Sequence, residues 1–157
     1  MSAAEVIERA LSAARSAGAD AVDAVLVESD SHEARVRADE IEFVKQARER
    51  CLGIRALVRG SDAEGRDGMR VAITSTSDLT PHAVDKMAGE TVALARATAV
   101  DPGAGLPDEA SAEELPDLAL LDPDDRNASV EARIEDARRA EAAARTADER
   151  IHNSEGA

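Results

Sequence analysis

Aromatic residues are almost missing from this chain. Among 157 residues there is one Phe, and neither Trp nor Tyr. The core must therefore be aliphatic, filling space with small side chains and burying less area per residue than rings would. A surface without rings also has nothing on which to stack nucleic-acid bases. Basic residues are outnumbered, 19 against 33 acidic ones, and only Lys45 and Lys86 of the 19 are lysine. The resulting net charge of −14 repels phosphate backbones and argues against nucleic acid as a partner. Cys51 is the single cysteine, so no internal disulfide can form. No apolar run nears the roughly 20 residues of a membrane span. The first ten residues contain Glu5 and Glu8 but no basic segment, so they do not form a signal peptide. These absences together lead us to expect a cytoplasmic protein with no membrane association.

What is present reads as one small domain with an appendage. Ser2 and Glu5 have the spacing of a capping box, and Val6, Ile7, Ala10, Leu11 and Ala14 follow at helical intervals until Gly18 stops the helix. From Ala21 the period becomes two. Ala21 to Ser29 is mostly apolar, as in a strand buried on both faces. Ser31 to Ala38 alternates, and Asp39-Glu40 turns the chain. Ile41 to Arg50 returns, and Leu52, Ile54, Ala56 and Val58 alternate against Arg55 and Arg59. Met69, Val71 and Ile73 carry a fifth strand. Thr80 and Pro81 open a second helix with the stripe Val84, Met87, Ala88, Thr91, Val92 and Ala95, which Asp101-Pro102-Gly103 ends.

Residues 101–125 hold four of the five prolines and nine acidic residues with no basic one, the composition of an extended, self-repelling connector. Ser129 to about Asp148 then predicts a strongly charged helix with a thin stripe of Val130, Ile134, Ala137 and Ala144. The last residues, Asn153 to Ala157, look like the opening of a strand with nothing to pair against. The predicted fold is α+β. An antiparallel five-stranded sheet, with a mixed sheet as the alternative, carries helices packed on one face, and a C-terminal helix follows an acidic linker. The expected domains are 1–100, a linker over 101–127, and 128–157 as a charged helix with the start of a truncated strand.

Chemistry-bearing motifs are few. His32-Glu33 lacks a second histidine three or four residues on, and a period-two segment sends neighbouring side chains to opposite faces. His82 and His152 stand far from it in sequence. A cryptic site among His32, His82, His152 and Cys51 is the one catalytic alternative. Cys51, at a junction between strands, has no evident base and is expected as a small buried filler. Gly103-Ala104-Gly105 does not extend to a dinucleotide fingerprint. Asp122, Asp124 and Asp125 lack the glycine and glutamate of a calcium loop. Between Arg35 and Arg70, nine basic residues stand against seven acidic ones. The sheet's outer face is thus expected to attract acidic surfaces, including those of the chain's own C-terminal part.

Several strings, in order, are similar to the amino-terminal part of the TldD/PmbA metallopeptidase family, nearer its PmbA (TldE) branch. They are Ala17-Gly18-Ala19-Asp20, Leu52-Gly53-Ile54-Arg55, Thr74-Ser75-Thr76-Ser77-Asp78-Leu79, Asp101-Pro102-Gly103-Ala104-Gly105-Leu106-Pro107 and Asn153-Ser154-Glu155-Gly156. The resemblance implies a subunit roughly three times this length that works in pairs. TldD-type subunits cleave peptides with a metal, zinc by expectation, held on a His-Glu-x-x-x-His helix with a further cysteine. PmbA-type subunits lack those ligands. The family is linked to maturing a peptide antibiotic and removing an antitoxin.

None of that motif occurs in this chain, so no catalytic, cofactor-binding or metal-binding residue is carried over. The expected function is therefore subunit assembly and substrate enclosure in peptide proteolysis, with a TldD-like or PmbA-like subunit as partner in a hetero- or homodimer. A stand-alone protein-interaction module without a peptidase role is the alternative.

Overall fold

Two long strands make the scaffold. In the computed structural model, which describes residues 1–107, 116–120, 122 and 128–157, β1 spans Ala21–Arg37 and β2 spans Glu40–Ser61. Each covers two of the strands predicted from sequence. The predicted breaks near Asp30 and Cys51 do not occur, because neither Gly nor Pro stands between Ala21 and Leu52 to interrupt pairing. β3 (Asp67–Thr76) pairs antiparallel with the far half of β2, from Leu52↔Thr76 to Ser61↔Asp67. Two short strands complete the sheet, β4 (Val100–Asp101) beside β3 and β5 (Glu155–Gly156) beside β1. The order is β4-β3-β2-β1-β5. The sheet is five-stranded and antiparallel as expected, with different strands making up the five. The segment expected to have nothing to pair against is β5, which pairs with Val36 and Arg37.

Contacts group the chain into two compact units, Met1–Glu28 with Glu49–Ser111, and Ser29–Arg48 with Ala112–Ala157. About half of the acidic connector expected over 101–127 falls outside the described residues.

In the first unit, α1 (Ala3–Ser16) starts at the predicted capping box. The Ser2 amide donates to Glu5 Oε2 (2.6 Å) and the Glu5 amide to Ser2 Oγ (3.3 Å). Gly18, at φ 96°, takes the left-handed conformation that closes the helix, and the Ala19 amide reaches back to the Ala14 carbonyl. α2 (Pro81–Ala97) has Thr80 as its cap and buries all six predicted stripe residues. Both helices pack on the inner face of the sheet, where Val6, Ala10, Val22, Leu52, Ile54, Val84, Ala88 and Val92 form the core. Each fully buried valine or leucine contributes about 1.5–3 kcal/mol. Arg9 joins the helices through Asp85 (2.5 Å), and Arg96 donates to the Ala17 carbonyl (2.8 Å). Buried Thr91 donates to the Met87 carbonyl and meets the Thr74 hydroxyl at 2.5 Å. The chain leaves α2 at Ala97 and forms β4 before Pro102, so the helix ends earlier than the Asp-Pro-Gly signal suggests.

In the second unit, Ala38 and Asp39 form the hairpin turn, with φ of 51° and 65°. Positive φ at both central residues matches the twist of the flanking strands. For Ala38 it costs about 1–2 kcal/mol, having no glycine to relieve it. A carboxyl group catches this turn. Glu141, on α3 (Val130–Ala147), is 2% exposed, and its Oε1 accepts from the Ala38 amide (3.2 Å) and the Ser154 hydroxyl (3.0 Å). β5 lies so close to α3 that a Cβ on Gly156 would sit 1.8 Å from the Ala137 carbonyl oxygen. Only glycine permits that approach.

Two substitutions test this clasp. Gly156→Ala should destabilise by about 1–3 kcal/mol through overpacking. Glu141→Leu should cost about 1–3 kcal/mol by orphaning the Ala38 amide. Amide exchange should quicken at Val36 and Arg37 in both variants, and unchanged protection there would refute the clasp.

Candidate functional site

The sequence-nominated residues do not converge. His32 lies in β1 with Nε2 3.2 Å from Asp30 Oδ1, His82 sits exposed in the first turn of α2, and His152 is exposed after α3. Among the described residues, no group of three or more His, Cys, Asp or Glu side chains could hold a metal ion. Those described residues therefore offer no donor set for a hydrolytic metal. Asp124 and Asp125 lie outside the described residues. Cys51 is exposed, not a buried filler. It falls on the outward parity of β2 with Gly53 and Arg55, while Leu52 and Ile54 point into the core.

That outer face of the first unit is the feature that stands out. β1 was expected to be buried on both faces, but Val25 and Val27 are 59% and 54% exposed, and only Val22, Ala24 and Leu26 turn toward the core. Gly53, lacking a side chain, leaves a shallow groove of about 290 Å³ walled by Val25, Ile73 and the Asp23–Arg55 pair. Ile73 on β3 is 70% exposed. The groove is apolar and open, and it holds no nucleophile, so its chemistry is that of contact.

The arginines that make the 35–70 segment positive by count are paired with acids mostly outside that segment. Arg55 meets Asp23 (2.6 Å), Arg50 meets Glu28 (2.6 Å) and Arg48 meets Asp30 (2.6 Å), a ladder of cross-strand pairs. Asp30 is held below the usual carboxylate range chiefly by the hydrogen bond from Arg48. The attraction of the chain's own C-terminal part is real in one place, where Glu155 Oε2 lies 2.7 Å from Arg37 and 3.8 Å from Arg35. Arg35 also lies over the Phe43 ring at 5.0 Å. Exposed pairs of this kind stabilise little, but each sets an arginine of β2 against an acid of β1.

The strings that carried the family resemblance turn out to be structural joints. Asp20 donates its amide to the Leu57 carbonyl (2.9 Å) and accepts the Arg59 amide on Oδ2 (2.8 Å), docking the start of β1 on β2. Thr76 Oγ1 accepts the Asp78 amide (3.0 Å), and Asp78 Oδ1 accepts that of Thr80 (3.0 Å), folding the turn into α2. The backbone of Asp101-Pro102 abuts Gly68, where a Cβ would lie 2.6 Å from the Asp101 carbonyl oxygen.

Comparison with known proteins agrees with this architecture. The family model for PmbA/TldA metallopeptidase domain 1 matches residues 22–95. The metalloprotease PmbA of Escherichia coli O157:H7 is 32% identical over 156 residues, which cover 97% of this chain and 32% of that protein. Two crystal structures share the fold. A candidate modulator of DNA gyrase from Bacteroides thetaiotaomicron superposes with a TM-score of 0.80 at 23% identity, over 97% of this chain and 33% of that one. TldE from Thermococcus kodakarensis superposes at 0.61 with 20% identity, over 96% of this chain and 32% of that one. The chain belongs to the PmbA/TldD family and corresponds to its amino-terminal domain. It spans about a third of the length of these relatives.

Two measurements probe the site's surroundings. Native Cys51 should react fully with a thiol-specific disulfide reagent without denaturant, and protection would contradict an open outer face. Past α3, Asp148 is lowered from the usual 3.8 to about 2 by the side-chain and backbone hydrogen bonds of Arg150. A lowered carboxylate contributes stability above its usual value, and that contribution fades as pH falls toward 2. Carboxyl NMR titration should therefore place Asp148 near 2, and Arg150→Ala should return it toward 3.8.

Proposed function

We propose that this chain serves as the non-catalytic amino-terminal domain of a PmbA-like (TldE-like) subunit in a cytoplasmic peptidase assembly. It helps to join subunits and to enclose a peptide substrate, and it performs no hydrolysis itself. The observation that carries this reading is the domain 1 match over residues 22–95, together with 32% identity to the metalloprotease PmbA over 97% of the chain. The partner is a TldD-like subunit, which would supply the metal, zinc by expectation, and the hydrolytic machinery. Clustered, solvent-accessible apolar side chains on the outer sheet face suit a domain that works by contact. The stand-alone interaction module is disfavoured, because similarity to PmbA extends over 97% of the chain.

Co-expression with a TldD-like subunit tests the role. The two should co-purify, and the chain alone, given zinc, should leave peptides intact. Chelator-sensitive peptide cleavage by the purified chain would overturn the non-catalytic assignment. Failure to co-purify with any TldD-like subunit would overturn the assembly role.

A further inference from the structure

The two compact units are held together by different means. Of the buried apolar side chains among the described residues, fourteen lie in the first unit and only three, Ala34, Val36 and Ala137, in the second. Three small side chains remove little apolar surface from water, so polar contacts must carry much of the second unit. α3 shows the same shortage. Its 18 residues bury only Ala137 and Glu141, four positions apart on one face. A helix takes most of its stability from packing, and this one packs along a single narrow line.

The links that fasten α3 and β5 to the hairpin share members. Glu141 Oε1 accepts from both the Ala38 amide and the Ser154 hydroxyl, so one carboxyl ties α3 to the turn and to the approach to β5. Arg138 on α3 lies 3.5 Å from Asp39 of the same turn. Glu155 on β5 reaches Arg37 of β1, beside the two backbone positions that β5 covers. Gly156 in turn rests on the Ala137 carbonyl. Neither element can leave the hairpin without loosening the other.

We propose that α3 and β5 form a strap that opens from the β1–β2 hairpin in one cooperative step while the first unit stays folded. Segments with few buried apolar contacts open at lower free energy than a core, and they open as contiguous units. Opening frees the backbone of Val36 and Arg37 as a sheet edge and brings the Glu141 carboxyl and the Ala38 amide into water. The strap therefore governs when that edge of β1 is accessible. This motion does not depend on the role proposed above.

Native-state hydrogen exchange of the 157-residue chain, followed by NMR, tests it. The amides of Ala38, Ala137 and Glu141 should share one opening free energy. Corrected for intrinsic rates, they should exchange at least about tenfold faster than those of Ala88 and Val92 on α2. Gly156→Ala alters β5, yet it should speed exchange at Ala38, Ala137 and Glu141 by one common factor and leave Ala88 and Val92 unchanged. Ser154→Ala, which removes a hydroxyl without adding bulk, is the second variant should the first fail to fold. Amides of α3 as protected as those of α2 would overturn the proposal. A variant effect confined to β5, Val36 and Arg37 would overturn it in favour of fraying, and an equal effect on α2 in favour of global unfolding.

Discussion

A core without rings must be closed by bringing backbones together, and most of this structure follows from that constraint. Ala10 and Ala14 on α1 and Ala88 on α2 are fully buried, so their helices lie close to the valines and leucines of the sheet. In the second unit the same device goes further, with Gly156 nearly touching the Ala137 carbonyl. Close approach costs adaptability. A methyl group added at such a point has nowhere to go, whereas an aromatic core could re-pack around it. Polar groups drawn in by the approach must be matched, and they are. Thr91 finds Thr74 and the Met87 carbonyl, while Glu141 finds the Ala38 amide and Ser154.

How legible this was in the sequence depended on the range of the interaction. The caps of α1 and α2 and the whole buried stripe of α2 were readable, because they depend on residues within a few positions of one another. The alternation of Leu52, Ile54 and Ala56 was readable for the same reason. Glu141 was not, since a glutamate among Ala, Glu and Arg looks like a solvated helix position. Only a turn about a hundred residues earlier gives it a reason to be buried. β4 and β5, at two residues each, are too short for any period to mark. The exposure of Cys51, Val25 and Val27 was hidden too. Apolar composition suggested two buried faces, and only the packing of both helices on one face shows that the other is open.

Charge distribution separates what the chain uses for folding from what it leaves for contact. The arginines of the sheet are spent internally, each of Arg48, Arg50 and Arg55 closing on an acid of β1. Such exposed pairs add little stability, but they fix the pairing partner, because a slipped register would set unlike partners apart. Counting charges in a window of sequence therefore leaves out the acids that pair with its arginines. The acids that neutralise the sheet come from outside the window, and a hairpin brings them alongside. The excess negative charge lies mainly in the connector over 101–127, where nine acids stand against Arg126 alone, while each helix is balanced.

The outer face and the β3 edge share a property that bears on the role of the domain. Both expose apolar side chains on a molecule of strongly negative net charge. A surface like this gains by being covered. Burying Ile73 and Val25 would contribute about 25 cal/mol for every Å² removed from water. It would desolvate no unpaired charge, since Asp23 and Arg55 already satisfy each other. The joints that the family strings build at Asp20, Gly53, Asp78 and Gly68 hold this face in place and add no reactive group.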